Sequence, residues 1–489
     1  MIKTLRPKIN FLSSAFIKKI IEEAYLVLEK NGIFVENEEA KKLLKNAGMK
    51  IKEETQKAYI KPELVEECLA TAPDKIVMYD REGKKNYSLS GDNVHFNPGS
   101  AAVYVLDHET GQQRKAVTED LISFTRLTEY LEHIKFQSTA IVSSDVPDLI
   151  SDSYRLYVAL LFSKKPVVTG TFRTQGFKPM YEMLVAVRGN EREVEKKPLA
   201  IFDACPSPPL KWSNLTAQSL IDCARAGIPS EIISMGMTGA TSPVTIAGTL
   251  VQHVAENLSG IVISQLAKKG APVIFGGSPS SFDMRKGTTP MGAVETMIID
   301  SAYSQIGKHL NLPTHAYMGL SDAKKIDSQA GFESGIGAVL ACLAGINVVS
   351  GPGMLNFESC QSIEKLAIDN EICGMAYRIA EGISQRDEPL AAHLFEELEK
   401  EGQFLTLEHT KRWYRKEHTF PGLVERDTYD QWVLLGKKSI EEKAKEEVRK
   451  ILKKSSPSLP EKEATKEMER IMRAEAKKLG ISSLPEIEN

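Results

Sequence analysis

The sequence predicts an α/β protein built as a (β/α)8 TIM barrel, with an N-terminal α/β cap and a C-terminal helical extension. Three observations carry this reading. Eight short β-prone runs recur: VHFN (94–97), KFQSTAIV (135–142), PVVTGTF (166–172), LAIFDA (199–204), EIISMGM (231–237), PVIFGG (272–277), THAYMG (314–319) and NVVSG (347–351). Amphipathic stretches such as 119–133, 215–226, 247–268 and 292–310 separate them. Strands alternating with helices imply parallel pairing through right-handed crossovers, and eight repeats in roughly 300 residues match a barrel. Finally, no GxGxxG follows the first run, which leaves a doubly wound open sheet, the runner-up, with little support.

Residues 1–92 read as the cap. Ile17, Ile20, Ile21, Ala24, Leu26, Val27 and Leu28 recur at helical spacing, and Gly32 stands where a C-cap belongs. A second helix runs from about Glu38 to Asn46, and Pro62 opens a third at a position that tolerates a missing N–H. KIVMYD-REGK-KNYSL reads as a hairpin turning at Glu82–Gly83. Residues 93–388 form the catalytic barrel, whose first connection holds an extra hairpin around Thr110–Gly111. Residues 389–489 hold no convincing strand. There KSIEEKAKEEVRKILKK and EATKEMERIMRAEAKKLG are charged amphipathic helices separated by SSPSLPE. They read as surface helices with one apolar stripe each, or as a docking arm for a subunit or partner.

Composition narrows the function. The 489 residues carry 62 basic and 65 acidic side chains, a net charge of −3, so no basic excess is available for phosphates and a nucleic-acid binder is not expected. The longest strongly apolar run, 336–346, falls well short of the about 20 residues of a bilayer span. The N-terminus lacks a continuous apolar h-region, so no secretory signal is expected. Six cysteines make no disulfide framework and read as reduced thiols of a cytoplasmic protein.

In a barrel the chemistry sits where the strands end. The segments after the eight runs are rich in Gly, Ser, Pro and Asp, which favours a wide, shallow site that admits a large partner. A polar-rimmed cavity is expected there, lined by Phe96–Gly99, Arg173, Asp203, Met237–Gly239, Gly276–Gly277, Tyr317–Lys324 and Gly351–Met354. No CxxC, HxC or HExxH occurs, so no metal site is expected. His315, inside a strand run, reads as a hydrogen-bonded core histidine. Lys324 is a Schiff-base candidate, although Lys325 beside it argues for a solvated pair. No GxSxG marks a hydrolase. Binding groups without an obvious nucleophile point to chemistry done by an external cofactor.

The longer motifs resemble the trimethylamine methyltransferase family. They are HFNPGSAAVYVLDHETGQQRKAVTEDL (95–121), MGMTGATSPVTIAGTL (235–250), YMGLSDAKKIDSQAGFES (317–334), LAGINVVSGPGMLNFES (343–359), the DNEI box (369–372) and LEHTKRWYRKEHTFPGLVER (407–426). The resemblance implies a (β/α)8 barrel and transfer of a methyl group from an amine to the corrinoid of a cognate corrinoid protein, with no cofactor held tightly by this chain. Archaeal trimethylamine enzymes of the family carry pyrrolysine, whereas this chain uses the standard twenty residues. That departure makes it similar to glycine betaine methyltransferase, so a quaternary amine is the expected substrate. Proline betaine, carnitine, choline and a methylamine stay open. A Schiff-base lyase on Lys324 and a non-catalytic betaine-binding protein are the readings of other classes. Catalytic roles fall to Tyr317 and Asp322. Cation-holding aromatics are drawn from Phe96, Tyr104, Phe172, Phe275, Tyr317 and Phe357, and Asp203 adds charge. Arg173, then Lys324, is the donor for a substrate carboxylate. Asn97, Gly276, Gly277, Gly351 and Met354 complete the expected substrate site, and a homo-oligomer is expected.

Overall fold

The computed structural model describes residues 4–454, 459–485 and 487; residues 455–458 of the SSPSLPE linker lie outside them. Each of the eight runs contains or overlaps a short strand: β1 (His95–Asn97), β2 (Gln137–Ser138), β3 (Val167–Thr169), β4 (Ala200–Ala204), β5 (Ser230–Ser234), β6 (Val273–Gly277), β7 (His315–Tyr317) and β8 (Val348–Ser350). A helix follows every one: α1 (Thr118–Tyr130), α2 (Ser151–Phe162), α3 (Phe177–Arg188), α4 (Asn214–Ala226), α5 (Ile246–Ala267), α6 (Val294–His309), α7 (Ser328–Ala344) and α8 (Ile363–Glu381). Strands β2 to β6 pair in parallel in chain order, and β7, β8 and β1 pair in parallel as a second sheet. Two parallel bridges, Phe96↔Ile134 and Phe275↔Thr314, join the sheets at both edges, so strand pairing runs in a cycle. The architecture is α/β. Parallel strands buried on both faces require apolar or paired side chains throughout, and β3, β5, β6, β7 and β8 are buried along their whole length.

Alternation along each strand separates two environments. Phe136, Val168, Ile201, Ile274 and Val348 meet inside the cycle and pack against Ile76, Met78 and Leu89. The latter belong to the hairpin Ile76–Tyr79 with Asn86–Leu89, which returns where the sequence places it. It plugs one end of the strand cycle with apolar side chains. The plug is finished by the His95 ring, stacked on Phe136 at 5.3 Å with Tyr87 against both edges.

The three predicted N-terminal helices occur at Ser14–Leu26, Glu38–Asn46 and Pro62–Leu69. Their small sheet takes in Lys211–Trp212 from the β4–α4 connection, paired in parallel with Ile33–Val35. Trp212 then buries its indole against α5, donating to Ser259 Oγ at 2.9 Å. The extra hairpin after β1, Tyr104–Leu106 with Gln113–Lys115, joins Met354–Leu355 and Cys360–Gln361 in a four-stranded sheet over the strand ends. The helices Ile440–Lys454 and Lys462–Lys478 turn Ala444 and Val448, and Met468, Ile471, Met472 and Ala476, inward; the first lies on α8 and α1, the second on α3 and α2. Three shorter helices, Leu394–Glu401, Glu408–Glu417 and Tyr429–Leu434, precede them; the sequence reading saw only the last two helices of the extension.

Helix α7 shows how closely the layers meet. Asp327 caps its N-terminus by accepting from the Gln329 and Ala330 amides, and Gly345, at φ +67°, ends it. A Cβ on Gly337 would lie 2.7 Å from the Gly319 backbone nitrogen, while Gly331 and Gly335 have nothing within 4 Å. Alanine in a helix interior gains about 1 kcal/mol over glycine, but a contact with backbone that tight costs about 1–3 kcal/mol. Gly331→Ala should therefore raise the melting temperature and Gly337→Ala should lower it. Thermal unfolding followed by circular dichroism checks both; a stabilised Gly337→Ala would show that α7 does not rest on the β7 end.

Candidate functional site

Inside the cycle, toward the C-terminal strand ends, the apolar plug gives way to polar side chains. Asn97 of β1 donates to Ser350 Oγ on β8 at 2.9 Å, and His315 Nε2 of β7 lies 3.0 Å from the same hydroxyl. Beyond them stand Asp203 of β4, Glu231 of β5 and Tyr317 of β7. Glycine makes room for this cluster. A Cβ on Gly276 would come within 3.0 Å of the His315 side chain, and one on Gly170 would touch Asp203 at 3.4 Å.

The cluster is acidic and under-compensated. Glu231 is fully buried, and among the described residues no donor reaches either of its carboxyl oxygens or Asp203 Oδ1. The two carboxyls face each other. Burial pushes Asp203 up to about 6 and Glu231 well above the ordinary carboxylate range, the neighbouring Asp203 charge adding to the latter. The pair thus shares a proton near neutrality. His315 lies 3.6 Å from Glu231, but burial lowers its pKa to about 3, so it is neutral and offers no compensating charge. Burial likewise drives the Tyr317 phenol and the Cys205 thiol upward. The nearest permanent cation is Arg155 of α2. It is fully buried, donates to the Thr139 carbonyl at 2.7 Å, lies 4.3 Å from the Phe172 ring, and keeps an Nε with no acceptor.

A third carboxyl closes the chamber from above. Asn356, Phe357 and Glu358 all have positive φ, of 51°, 55° and 65°. Three consecutive non-glycine residues in that region cost about 1–2 kcal/mol each, and such backbone persists only where its surroundings over-determine it. Here the Asn356 amide donates to the Ala323 carbonyl at 3.0 Å, its side chain reaches Gln113 at 3.1 Å, and the Lys324 ammonium sits 3.7 Å over the Phe357 ring. The turn aims Glu358 at Ser278, 3.4 Å away, and burial raises this carboxyl to about 8. Asp203, Cys205, Ser278 and Glu358 keep some accessible surface although they face the interior, so the upper part of the cycle is not fully sealed.

The sequence candidates divide around this chamber. Tyr317, Asp203 and Gly276 reach it, and Asn97 supports its floor. Phe96 and Phe275 do not. Both are fully buried on the outer face of their strands, Phe96 against Tyr377 of α8 and Phe275 against His253 and Tyr303. Gly277 also faces outward, where a Cβ would meet His253 at 2.2 Å. Strand alternation puts residues 275 and 277 opposite 276, so one side of each strand was misassigned. Arg173 is engaged elsewhere, paired with Glu475 of the last helix at 2.7 Å. Tyr104 belongs to the covering sheet. Met354 is buried on Gly99, and Gly351 is small because the Met318 carbonyl lies 2.4 Å from its would-be Cβ. Asp322 accepts from the Met291 and Gly292 amides at 2.9 and 2.8 Å, tying the loops after β6 and β7 together; burial raises it to about 6. With Lys324, Phe357, Asp283 and Arg285 it lines an open cleft of about 800 Å³ on the same face. Of the seven expected lining segments, the end of Tyr317–Lys324 lines that cleft. Lys324 donates to the Asp322 carbonyl at 2.5 Å and faces the cleft, with burial lowering its pKa.

Three chamber groups escaped the sequence reading. Glu231 looked like the edge of its run, but β5 starts one residue earlier, which turns it inward. Arg155 directly precedes the apolar stretch LYVALLF (156–162), and a charge there signals a buried polar role. Glu358 carries no local signal, because its direction comes from a strained turn. Among the described residues, no group of three or more His, Cys, Asp or Glu side chains gathers to hold a metal ion, and no helix is long and apolar enough to cross a membrane.

Comparison with known proteins agrees with this architecture. The family model for trimethylamine methyltransferase (MTTB) matches residues 1–479. The trimethylamine methyltransferase MttB of Desulfitobacterium hafniense is 33% identical over 437 residues, 89% of this chain and 88% of the relative. MttB of Methanosarcina thermophila is 32% identical over 91% of this chain and 93% of its own. The glycine betaine methyltransferase of Desulfitobacterium hafniense is 30% identical over 88% of this chain and 89% of its own. In fold, the chain is similar to the crystal structure of the hydroxylamine complex of MtmB, with a TM-score of 0.50 at 11% identity, over 98% of this chain and 95% of that one. The chain belongs to the trimethylamine methyltransferase family and is an amine methyltransferase.

Proposed function

We propose that this enzyme moves a methyl group from a quaternary ammonium, glycine betaine first among the candidates, to the Co(I) corrinoid of a partner protein. The supporting frame is a (β/α)8 barrel, read from the cyclic pairing of β1 to β8, with its site at the C-terminal strand ends. The observation that carries the reading is the buried Asp203–Glu231 pair, of which both Glu231 oxygens and Asp203 Oδ1 find no donor among the described residues. A cation entering beside them supplies the missing charge. A quaternary nitrogen has no N–H, so it is held by charge and by an aromatic face, here Tyr317, rather than by hydrogen bonds. Of the six aromatic candidates, we assign the cation face to Tyr317, whose surroundings include Asp203 and Glu231, and electrostatics takes over the role an aromatic cage would have had. Arg155 replaces Arg173 as the donor for a substrate carboxylate, since its Nε is without an acceptor.

The corrinoid supplies the nucleophile that takes the methyl carbon, while the C–N pair departs on a neutral tertiary amine. The chain's own contribution is alignment and water exclusion. Exposed Phe172, Met235, Val244 and Met284, all on loops that follow strands, give the mouth an apolar rim on which a partner can seat. One observation favours a second substrate class. Three carboxyls and one aromatic ring suit a protonated methylamine, whose N–H groups would donate to Asp203, Glu231 and Glu358.

A panel of betaines, choline, carnitine and methylamines, offered with a reduced corrinoid protein, separates these readings through loss of Co(I) absorbance. Turnover of glycine betaine is expected; turnover of methylamines alone would replace the substrate claim, and none at all would remove the reaction. Glu231→Gln should reduce transfer at least about tenfold, the effect of one pKa unit of lost charge interaction, while Arg155→Lys should harm betaine more than tetramethylammonium. The pH dependence has a definite sign. Asp203 and Glu358 hold protons in the empty chamber up to about 6 and about 8. Cation binding favours their ionised forms, so affinity rises with pH through that window. Tetramethylammonium should bind about tenfold more weakly at pH 5 than at pH 7; a flat calorimetric profile would show that these carboxyls do not meet the cation.

A further inference from the structure

Removing a methyl group from a quaternary nitrogen leaves a proton to be found. The nitrogen keeps the electron pair of the broken C–N bond and becomes a tertiary amine. An aliphatic amine holds a proton up to a pKa of roughly 10, as a lysine side chain does, so at neutral pH the product ends as an ammonium. Direction matters for where that proton comes from. The freed pair points along the broken bond, toward the departing methyl group and therefore toward the mouth. Asp203 and Glu231 stand on β4 and β5 inside the cycle, beneath the nitrogen. An acid that can reach the pair has to hang from the cover.

Glu358 is placed in this way. Met354–Leu355 and Cys360–Gln361 pair antiparallel in the sheet over the strand ends, and Glu358 belongs to the turn that joins them. The turn is pinned on both sides: the Ser359 hydroxyl donates to the Asn356 carbonyl at 2.6 Å, and the Tyr104 amide donates to the Ser359 carbonyl at 3.1 Å. Ser278, the polar contact of the Glu358 carboxyl, is itself fixed to β5 through its amide and the Ser234 carbonyl at 2.9 Å. Besides burial, Asp203, Glu358 and Glu231 all raise the Tyr317 phenol, so the cover carboxyl and the lower pair surround one ring. The other titratable groups about Glu358 are Asp300 and Tyr303 of α6 and Asp322 of the β7 loop. None of them is a cation, and the Lys324 ammonium lies over the neighbouring Phe357 ring instead. Burial, with the Asp322 charge, holds the Glu358 proton up to about 8. The carboxyl thus carries a proton at neutral pH and is still a stronger acid than the ammonium it would form.

We propose that Glu358 is the general acid of methyl transfer: as the C–N bond breaks and its electron pair stays on nitrogen, the Glu358 carboxyl gives its proton to that pair. The methyl group leaves on the corrinoid, a tertiary ammonium remains beside an ionised Glu358, and solvent returns a proton to the carboxylate when the product departs. This rests on the quaternary-ammonium reading above.

Tetramethylammonium and trimethylsulfonium, each offered with the reduced corrinoid protein, test the assignment. Both are methyl-bearing cations, but the dimethyl sulfide that leaves from the second takes up no proton. Glu358→Gln should lower the ratio of ammonium to sulfonium transfer at least about tenfold, and Glu358→Asp should restore part of it. With wild type, ammonium transfer at saturation should fall as pH rises through a limb at or below about 8, since the bound cation favours ionised Glu358; sulfonium transfer should show no such limb. A purely structural or electrostatic role slows both substrates alike, and an unchanged ratio would overturn the proposal. Calorimetry without the corrinoid protein gives a second readout. Trimethylammonium has an N–H for Glu358 and tetramethylammonium has none, so the ratio of their affinities should fall about tenfold in Glu358→Gln, the loss of one charge-assisted hydrogen bond; an equal ratio in both proteins would count against the acid. Wild type that demethylates neither cation would remove the proposed reaction and the acid role with it, whereas transfer with an unchanged ratio removes the acid role alone.

Discussion

Burying a carboxyl without a donor is among the most costly things a fold can do, and this chain does it at its centre. Moving an ionised carboxylate into apolar surroundings costs several kcal/mol even after relaxation, and the usual response is to take up a proton. Asp203 and Glu231 respond in this way, since each can ionise only at the expense of the other. Nothing in the strand pairing requires either side chain to be acidic. Ile201 and Ile274, one layer below, show that the interior accepts plain hydrocarbon. The acidic pair is thus a local departure from what folding favours, and such departures gather where a ligand is expected to complete the balance.

The surrounding structure serves to keep that departure intact. The hairpin of residues 76–89 closes one end of the strand cycle with apolar side chains. The loops after β6, β7 and β8 are bound to each other at the strand C-termini. Asp322 accepts from two amides of the β6 loop, Glu333 of α7 accepts from Ser321 and from the Asp322 amide, and Ala323 holds the left-handed turn. These contacts explain how three positive-φ residues stay in place, and why Asp322 and Lys324 matter even though they face the cleft rather than the chamber. Lys324 covers the Phe357 ring with its ammonium, a contact worth about 0.5–1 kcal/mol at an exposed site, and thereby helps hold Glu358 over the acidic pair.

How much of this was legible in the sequence depends on the range of the interaction concerned. Strand and helix positions were legible, because the alternation of β-prone runs with amphipathic stretches is a local pattern repeated eight times. The 76–89 hairpin was legible from its turn residues. Side of strand was not. Phe96 and Phe275 looked like site residues because they stand close to strand ends, but a shift of one residue exchanges interior for exterior, and β-strands of three to five residues fix that parity only once their neighbours are known. The same ambiguity hid Glu231. Arg173 was placed at the correct strand end, yet Glu475, some three hundred residues away in sequence, captures it. No local reading sees such a contact. Glu358 was hidden for a different reason, since non-glycine residues give no warning of a left-handed turn.

The C-terminal segment shows the same logic from the outside. Its last two helices were read as surface helices with one apolar stripe each, and those stripes do cover α1, α2, α3 and α8. The shorter helices before them follow another rule, for apart from Leu394 they bury no side chain, and rings such as Phe395, Tyr414 and Tyr429 stay exposed. An apolar stripe says that a helix will be covered, not by what. For Ile440–Lys454 and Lys462–Lys478 the cover is intramolecular, and their outward charges find partners within this chain, Arg449 with Glu109 from the first and Glu467 with Arg470 and Glu469 with Arg473 inside the second. Leu394–Glu401 carries mostly acidic side chains and Glu408–Glu417 mostly basic ones, the latter partly paired within this chain through Lys411 with Glu408 and Arg412 with Asp387. What separates the two groups of helices is how much apolar surface each turns onto the barrel helices, four buried apolar residues in Lys462–Lys478 against one in Leu394–Glu401.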